Sequence, residues 1–310
     1  MTWLLLADKL LFKEMRTNNR IFGLAGLFLA LVGVLCGCSK NVVETEEGQK
    51  KVQFRVVNYL QYTFEEGTRA AVDVGSAKVL KHLALGVFDA ATDKLVGTVQ
   101  VQDKGSEGYG TFSVTLPYGK YRLVFLGYSG DKALKMECPE NISFADDYVP
   151  QTFLSCTEFT VNTQTAAAKD ISLRRVVAGF ELLIEDEIDR NATELRFKTT
   201  GGGTVLNAKT GLAVASTGRE SSVVIPEKYK GTTGKNAQIF LFLATSPEKM
   251  NIEVNAVNAA NEVLSGRIFE DVPMKLNTLT IYKGRFFSGQ NFGFNVKVDE
   301  AWGETVENPF

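Results

Sequence analysis

Short runs in which apolar and polar side chains alternate recur along this chain, separated by tight turns. In the first run, KVQFRVV, Val52, Phe54 and Val56 fall on one face. Gln53 and Arg55 fall on the other face. A period of two residues is typical of a half-buried strand, and no long stretch shows the period of a helix. The sequence therefore predicts an all-β fold made of β-sandwiches.

The chain is long enough for two such domains, each with its own core. We expect an N-terminal β-sandwich over residues 51–169 and a C-terminal one over residues 170–310. The stretch 128–170 is less regular, and we expect a helical turn and a loop over a sheet edge there. The second sandwich should start with a strand that has one buried face, made of Val176, Ala178, Phe180, Leu182 and Ile184.

The N-terminus has the sequence features of a secretory signal peptide. Lys9, Lys13, Arg16 and Arg20 precede an apolar run, residues 21–35, that closes on small residues. The run of about 15 residues is shorter than the ~20 that a transmembrane helix needs, so export is favoured over a membrane span. Translation could also start at Met15, which would give a basic region of more usual length.

The end of the apolar run, Leu35-Cys36-Gly37-Cys38, resembles the lipobox of bacterial lipoproteins. That resemblance implies a signal peptide over residues 1–37 and acyl chains, such as palmitate, on Cys38. Two or more chains on one cysteine would anchor the protein stably in the outer membrane. Residues 38–50 are polar and acidic, as expected of a tether. An ordinary cleaved signal is the alternative.

Charge and cysteine content exclude some functions and leave one question open. The chain has 34 basic and 36 acidic residues, so no basic surplus indicates nucleic-acid binding. Cys138 and Cys156 would remain after processing. Outside the cytoplasm they could form a disulfide, and buried free thiols are the equally weighted alternative.

Few residues could carry catalysis or hold a cofactor. His82 is the only histidine, and it falls on a predicted strand without a nearby nucleophile in the sequence. We expect it to be a strand histidine with a satisfied ring nitrogen. No ligand spacing indicates a metal, so we expect neither an enzyme nor a cofactor. Four tyrosines are candidates for carbohydrate contact, with core packing as the alternative: Tyr59, Tyr62, Tyr109 and Tyr118.

Four segments show a recurring strand pattern: GTRAAVDVGSAKVLKHLALGVFDAATDKLV, LPYGKYRLVFLG, ISLRRVVAGFELLIED and FEDVPMKLNTLTIYKGRFF. They resemble strands of the fimbrillin superfamily of type V pili. The likeness spans nearly the whole mature chain. It implies two tandem transthyretin-like β-sandwich domains after a lipoprotein signal peptide, in a lipid-anchored fimbrial subunit or adhesin-like surface protein.

The resemblance also implies a mode of assembly. A trypsin-like protease would cut after Arg69, in a loop, and leave Ala70 as the new N-terminus. Residues 51–57 would be the removable strand, and residues 292–302 the candidate donor strand for another fimbrial subunit. The alternatives are that Arg69 is an ordinary loop residue, and that the protein is a non-polymerising surface lipoprotein that binds host or bacterial glycan.

Overall fold

The computed structural model describes residues 48–63, 68–75, 78–288, 294–299 and 302, with backbone only for residues 60–63 and 68–72. The predicted signal peptide, Cys38 and Met15 lie outside the described residues. The described part is almost entirely strand, with two short 3₁₀ turns at Ala145–Asp147 and Glu227–Tyr229. The prediction of an all-β fold is therefore confirmed. Within these ranges, no helix has the length and apolar character needed to span a bilayer.

The strands of the first half are β1 Gln49–Thr63, β2 Thr68–Asp73, β3 His82–Asp89, β4 Gln100–Asp103, β5 Thr111–Pro117, β6 Gly119–Tyr128, β7 Leu134–Cys138, β8 Asn141–Phe144, β9 Thr152–Val161 and β10 Ala168–Arg175. Those of the second half are β11 Ala178–Ile184, β12 Ala192–Thr199, β13 Leu206–Asn207, β14 Leu212–Ala213, β15 Arg219–Val224, β16 Lys235–Leu241, β17 Glu248–Asn258, β18 Val263–Met274, β19 Leu279–Gly284 and β20 Asn295–Asp299.

One eight-stranded sheet forms most of the first half. Its order is β2-β1-β10-β9-β6-β3-β4, and β5 pairs with the first part of β1. The pairing of β10 with β9 is short, because it involves only Arg174 with Leu154 and Arg175 with Phe153. Phe54 of β1 contacts Phe125 of β6 although β10 and β9 lie between their strands, so the sheet bends and encloses its own apolar face. The first core lies inside this bend and includes side chains of β1, β3, β5, β6, β9 and β10.

Two four-stranded sheets form the second half. Their orders are β16-β11-β19-β20 and β15-β12-β17-β18, and the second core lies between them. Phe180 of β11 contacts Phe197 of β12 and Phe269 of β18 across this core. The predicted buried face is confirmed for the four members that lie in β11, and Val176 is buried just before that strand.

A third core joins the two halves. It includes side chains of both, among them Val124, Leu154, Phe242 and Leu279, beside a small sheet of order β14-β13-β8-β7. Residues from 45 onward consequently form one compact unit. The predicted boundary at residue 170 falls inside β10, which belongs to the first sheet, so the halves divide after Arg175. The count of two domains stays a prediction.

The stretch 128–170 is more regular than expected. The predicted helical turn exists as Ala145–Asp147, but the same stretch also contains β7, β8 and the ten-residue β9. Because β9 lies in the interior of the sheet, its first residues are buried on both faces and do not alternate. Gln49 and Lys50, at the end of the predicted tether, belong to β1, and residues 38–47 lie outside the described residues.

Candidate functional site

The first strand is internal to its sheet. One edge of β1 pairs in parallel with β10, from Gln53 to Leu60. The other edge pairs with β5 from Gln49 to Arg55, and then with β2 from Asn58 to Thr63. Both edges are therefore occupied, and the prediction that residues 51–57 complete a sheet is confirmed.

The same strand fills part of the first core. Val52, Phe54 and Val56 are buried, as the alternation predicts. The ring of Phe54 lies 5.6 Å from that of Phe125 on β6 and 5.2 Å from that of Phe159 on β9, measured between centroids. Burying one such side chain stabilises a fold by about 1.5–3 kcal/mol. An empty groove in place of β1 would therefore be costly.

Arg69 and Ala70 lie in a strand and not in the expected loop. In β2, Arg69 is opposite Tyr62 and Ala70 is opposite Gln61. The loop prediction is wrong here because β1 continues to Thr63 and offers the small residues of β2 a partner, which local sequence does not reveal. β2 is the edge strand of the sheet and pairs, among the described strands, with β1 alone. The backbone after Arg69 is thus extended and has one free edge.

The C-terminal strand is held mainly by backbone pairing. β20 is the edge strand of its sheet and pairs with β19, with Val296 opposite Tyr282 and Val298 opposite Thr280. The two valines consequently face the same side as the second core, yet Val296 is 51% and Val298 42% exposed. The facing second sheet does not cover this edge. Of the candidate donor, residues 292, 293, 300 and 301 lie outside the described residues.

Trp302 anchors the chain beyond β20. It is 1% exposed, and its ring stacks on Phe240 with centroids 5.7 Å apart. The guanidinium carbon of Arg175 lies 4.1 Å from the centre of the indole, and Arg175 Nη1 donates to the Trp302 carbonyl at 2.6 Å. Gly179 makes room for the ring, because a Cβ there would be 2.7 Å from it. Trp302 thereby becomes part of the third core.

A carboxylate fastens the chain ahead of β20. Asp186 accepts hydrogen bonds from the backbone N–H groups of Phe286 at 2.8 Å, Phe287 at 2.9 Å and Ser288 at 2.5 Å. Partial burial of Asp186 acts to raise its pKa, but these hydrogen bonds outweigh it and hold the pKa below the usual value. The chain is therefore held by Asp186 before β20 and by Trp302 after it, while β20 itself is exposed.

Cys138 and Cys156 are free thiols in this structure, so the disulfide alternative is not formed in it. Cys138 lies at the end of the β7–β8 hairpin, opposite Asn141. Cys156 lies in the middle of β9, opposite Val124, and burial raises the pKa of its thiol. The two cysteines belong to different sheets.

His82 has the role expected of a strand histidine. Its Nδ1 lies 2.7 Å from Asp103 Oδ1, and its ring stacks on Tyr128 with centroids 4.9 Å apart. Its Nε2 lies 3.7 Å from Asp131 Oδ1. Over the described ranges, no group of three or more His, Cys, Asp or Glu side chains is placed to hold a metal ion.

The tyrosines proposed for carbohydrate contact have different surroundings. Tyr59 is buried, with its ring centroid 4.6 Å from that of Phe153, so the contact hypothesis is wrong for it. Tyr109 packs against the first core, and burial raises its pKa to about 12. Tyr118 is exposed. The side chain of Tyr62 lies outside the described part.

A cleft lies at the seam between β15 and β16, which are edge strands of the two sheets of the second half. Its volume is about 400 Å³, and it is lined by Lys132, Tyr148, Arg219, Ser221 and Phe240, among others. None of its lining residues belongs to β1 or to the strands that pair with β1. Sequence reasoning missed this cleft, because it forms only where strands of two sheets and a loop of the first half meet.

One family profile matches residues 48–308, and it describes a family of unknown function, DUF6562. The chain belongs to the DUF6562 family. The match begins one residue before β1 and continues past Trp302. Both the first strand and the C-terminal segment of this DUF6562 member therefore lie within the family's common region.

No curated protein matches this DUF6562 member. Several solved structures are similar to it. A candidate adhesin from Bacteroides ovatus is 12% identical with a TM-score of 0.48, over 77% of this chain and 88% of that one. The fimbrial anchor protein Mfa2 from Porphyromonas gingivalis is 10% identical with a TM-score of 0.40. The match covers 82% of this chain and 98% of Mfa2. The tip fimbrial protein Mfa3 from the same organism, with a C-terminal truncation, is 13% identical with a TM-score of 0.38. The match covers 81% of this chain and 99% of the truncated Mfa3.

Proposed function

We propose that this protein is a fimbrial subunit or adhesin-like surface protein, lipid-anchored in the outer membrane through Cys38, that joins other subunits by strand exchange. The observation that carries the proposal is the position of β1. It is the first strand of the described residues, yet it lies between β5 and β10 and fills part of the first core. A chain end that completes a core can be exchanged for an equivalent strand from another molecule.

Cleavage after Arg69 would make this exchange possible. Everything up to Arg69 would then be held to the fold only by backbone pairing and packing, since β1 would have lost its covalent link to β2. Residues 70–73 would lose their partner strand, because β2 pairs with β1 alone. Loss of β1 would leave unpaired backbone groups along β5 and β10 and an open apolar groove, which favours capture of a new strand.

The C-terminal strand has the side-chain pattern that the groove requires. Val296 and Val298 share one face of β20 and alternate with Asn295, Lys297 and Asp299, as Val52, Phe54 and Val56 alternate with polar residues in β1. The exposed valines would become buried in the groove of another copy. Burial of Trp302 in the third core opposes release of the C-terminal segment. The contacts of Trp302 must therefore be broken before this segment can be donated to another copy.

The experiment is intact mass analysis and N-terminal sequencing of the protein from cells, with and without a trypsin-like protease. A mature chain that starts at Ala70 and is found in polymers supports exchange, and Arg69→Ala should then abolish assembly. A chain that keeps an acylated Cys38 and never polymerises, with or without Arg69, would contradict the exchange mechanism and leave a surface lipoprotein.

A second candidate function is glycan binding at the cell surface, without catalysis. The observation that favours it is the cleft between β15 and β16, which is remote from β1 and has Tyr148 and Phe240 in its lining. The two functions are compatible, because the cleft belongs to the second half and the exchangeable strand to the first.

A further inference from the structure

Arg219 is a partly buried cation that makes no ion pair with a carboxylate in the described part of the chain. It lies at the start of β15 in the seam cleft, and its Nη1 donates to the Phe240 carbonyl of β16 at 3.0 Å. Its Nε is buried and has no hydrogen-bond partner in the described part of the chain. Burial lowers the pKa of Arg219 to about 10, so the guanidinium is still charged at neutral pH. A buried charge without an ion pair is expensive to maintain.

The carboxylates of the cleft are engaged elsewhere. Asp146 pairs with Lys132 at 2.6 Å, and Glu220 pairs with Lys198 at 3.1 Å. Asp147 lies near enough to favour the charged form of Arg219, yet it makes no ion pair with it and accepts a hydrogen bond from Thr204 at 3.3 Å. The lining therefore carries one positive charge that the described side chains do not neutralise.

A second polar group in the same cleft also lacks a partner. The Oγ of Ser221, two residues after Arg219 on β15, is buried and makes no hydrogen bond within the described ranges. Most buried polar groups in folded proteins are hydrogen-bonded, so two such groups in one cavity are unusual. A guanidinium that lacks an ion pair and a hydroxyl that lacks a hydrogen bond are the complement of a ligand that carries a carboxylate and hydroxyl groups.

We propose that this seam cleft binds a sugar acid, with its carboxylate on Arg219 and a hydroxyl group on Ser221. Tyr148 and Phe240 border the site and provide apolar surface for a sugar ring. A volume of about 400 Å³ suits a small ligand. An added β-strand fits less well, because Arg219 already bridges the two strands and occupies the Phe240 carbonyl. The inference rests on the adhesin-like role proposed above and names its ligand class.

The test is isothermal titration calorimetry on the full chain carrying Arg69→Ala, so that strand exchange does not take part. The probes are methyl β-D-glucuronide, the methyl glycoside of N-acetylneuraminic acid, methyl β-D-glucoside and acetate. We expect at least one sugar acid to bind at least about tenfold more tightly than both methyl glucoside and acetate, because only the acids satisfy both groups.

Two variants locate the site. Arg219→Gln should abolish binding, and Ser221→Ala should weaken it without lowering the melting temperature, because its hydroxyl has no partner to lose. Arg190→Gln is the matched control, since Arg190 is exposed and lies outside the cleft. Its binding should equal that of the parent.

Other outcomes overturn the proposal. Equal binding of acetate and the sugar acids would reduce the site to a simple carboxylate site, and equal binding of methyl glucoside would remove the role of Arg219. No binding of either acid, or binding that survives both cleft variants, also contradicts it. None of these results bears on polymerisation after cleavage at Arg69, so failure here and failure of the assembly mechanism are distinguishable.

Discussion

Phe54 on β1 and Phe125 on β6 lie with their ring centroids 5.6 Å apart, although β10 and β9 separate their strands in the sheet. The contact exists because the sheet bends at the short pairing of β9 with β10. The first strand consequently has two roles. It joins β5 to β10 by backbone hydrogen bonds, and it closes the first core with its apolar face.

Truncation of Phe54 should therefore destabilise the fold severely. We expect Phe54→Ala to lower the free energy of unfolding by about 3–5 kcal/mol, the range for large-to-small changes of an aromatic core residue. Urea denaturation measures this change in the free energy of unfolding. Arg55→Ala is the control on the other face, where the ion pair with Asp170 is about half exposed and is worth ~1 kcal/mol or less. Similar losses in the two variants would mean that β1 contributes pairing but no core.

Trp302 should control the mobility of the C-terminal strand. With Trp302→Ala, the chain after β20 loses its contacts with Phe240 and Arg175, while the pairing of residues 295–299 with β19 remains. We expect amide hydrogens of β20 to exchange faster, while those of β11 keep their protection. Val298→Ala is the control, because that side chain is 42% exposed. Unchanged exchange in β20 of the tryptophan variant would show that Trp302 does not retain the segment.

Asp186 should make the stability of the fold depend on pH in the acidic range. Its pKa is depressed in the folded state, so its contribution is present above the pKa of the unfolded chain and is lost as the pH falls through the lower folded value. Asp186→Asn should cost about 1–3 kcal/mol at pH 7, since backbone N–H groups lose a charged acceptor. The cost should shrink towards pH 3 in urea denaturation. Glu187→Gln is the neighbouring exposed control, and a cost that does not change with pH would contradict the assignment.

The two cysteines should react as free thiols. Alkylation of the denatured mature protein without reductant, followed by peptide mapping, should modify both Cys138 and Cys156. In the folded protein, Cys156 should react more slowly than a free thiol at the same pH, because burial raises its pKa and less thiolate is present. A peptide that joins Cys138 to Cys156 would show that the disulfide alternative holds in the cell.

Alternation predicted the strands that have one buried and one solvated face. Residues 51–57 of β1 are the example, where the sequence shows directly that Val52, Phe54 and Val56 enter a core. β9 was missed because its first residues are buried on both faces. Residue 170, the predicted boundary, lies inside β10, and the sequence does not mark the end of that strand because only Val176 and Val177 separate β10 from β11 and both are buried in the third core.

The candidate sites were predictable to different degrees. The strand position of residues 51–57 followed from their alternation, whereas the strand position of Arg69 depends on a partner that β1 provides. Nothing in the sequence around Arg219 distinguishes it from a surface arginine. Its burial arises only where β15, β16 and the turn near Tyr148 meet, and that is a property of tertiary structure.

The most direct test of strand exchange mixes two isotopic forms of the protein. The mixture is cleaved after Arg69 by an arginine-specific protease and is then treated with a zero-length carboxyl-to-amine cross-linker. Lys169 and Asp170 of β10 lie opposite Phe54 and Arg55 of β1. The account predicts polymers with mixed-isotope cross-links from Lys297 or Asp299 of one copy to Asp170 or Lys169 of another. A cleaved protein that stays monomeric, keeps residues up to Arg69 bound and forms no mixed-isotope cross-link to β10 would contradict it.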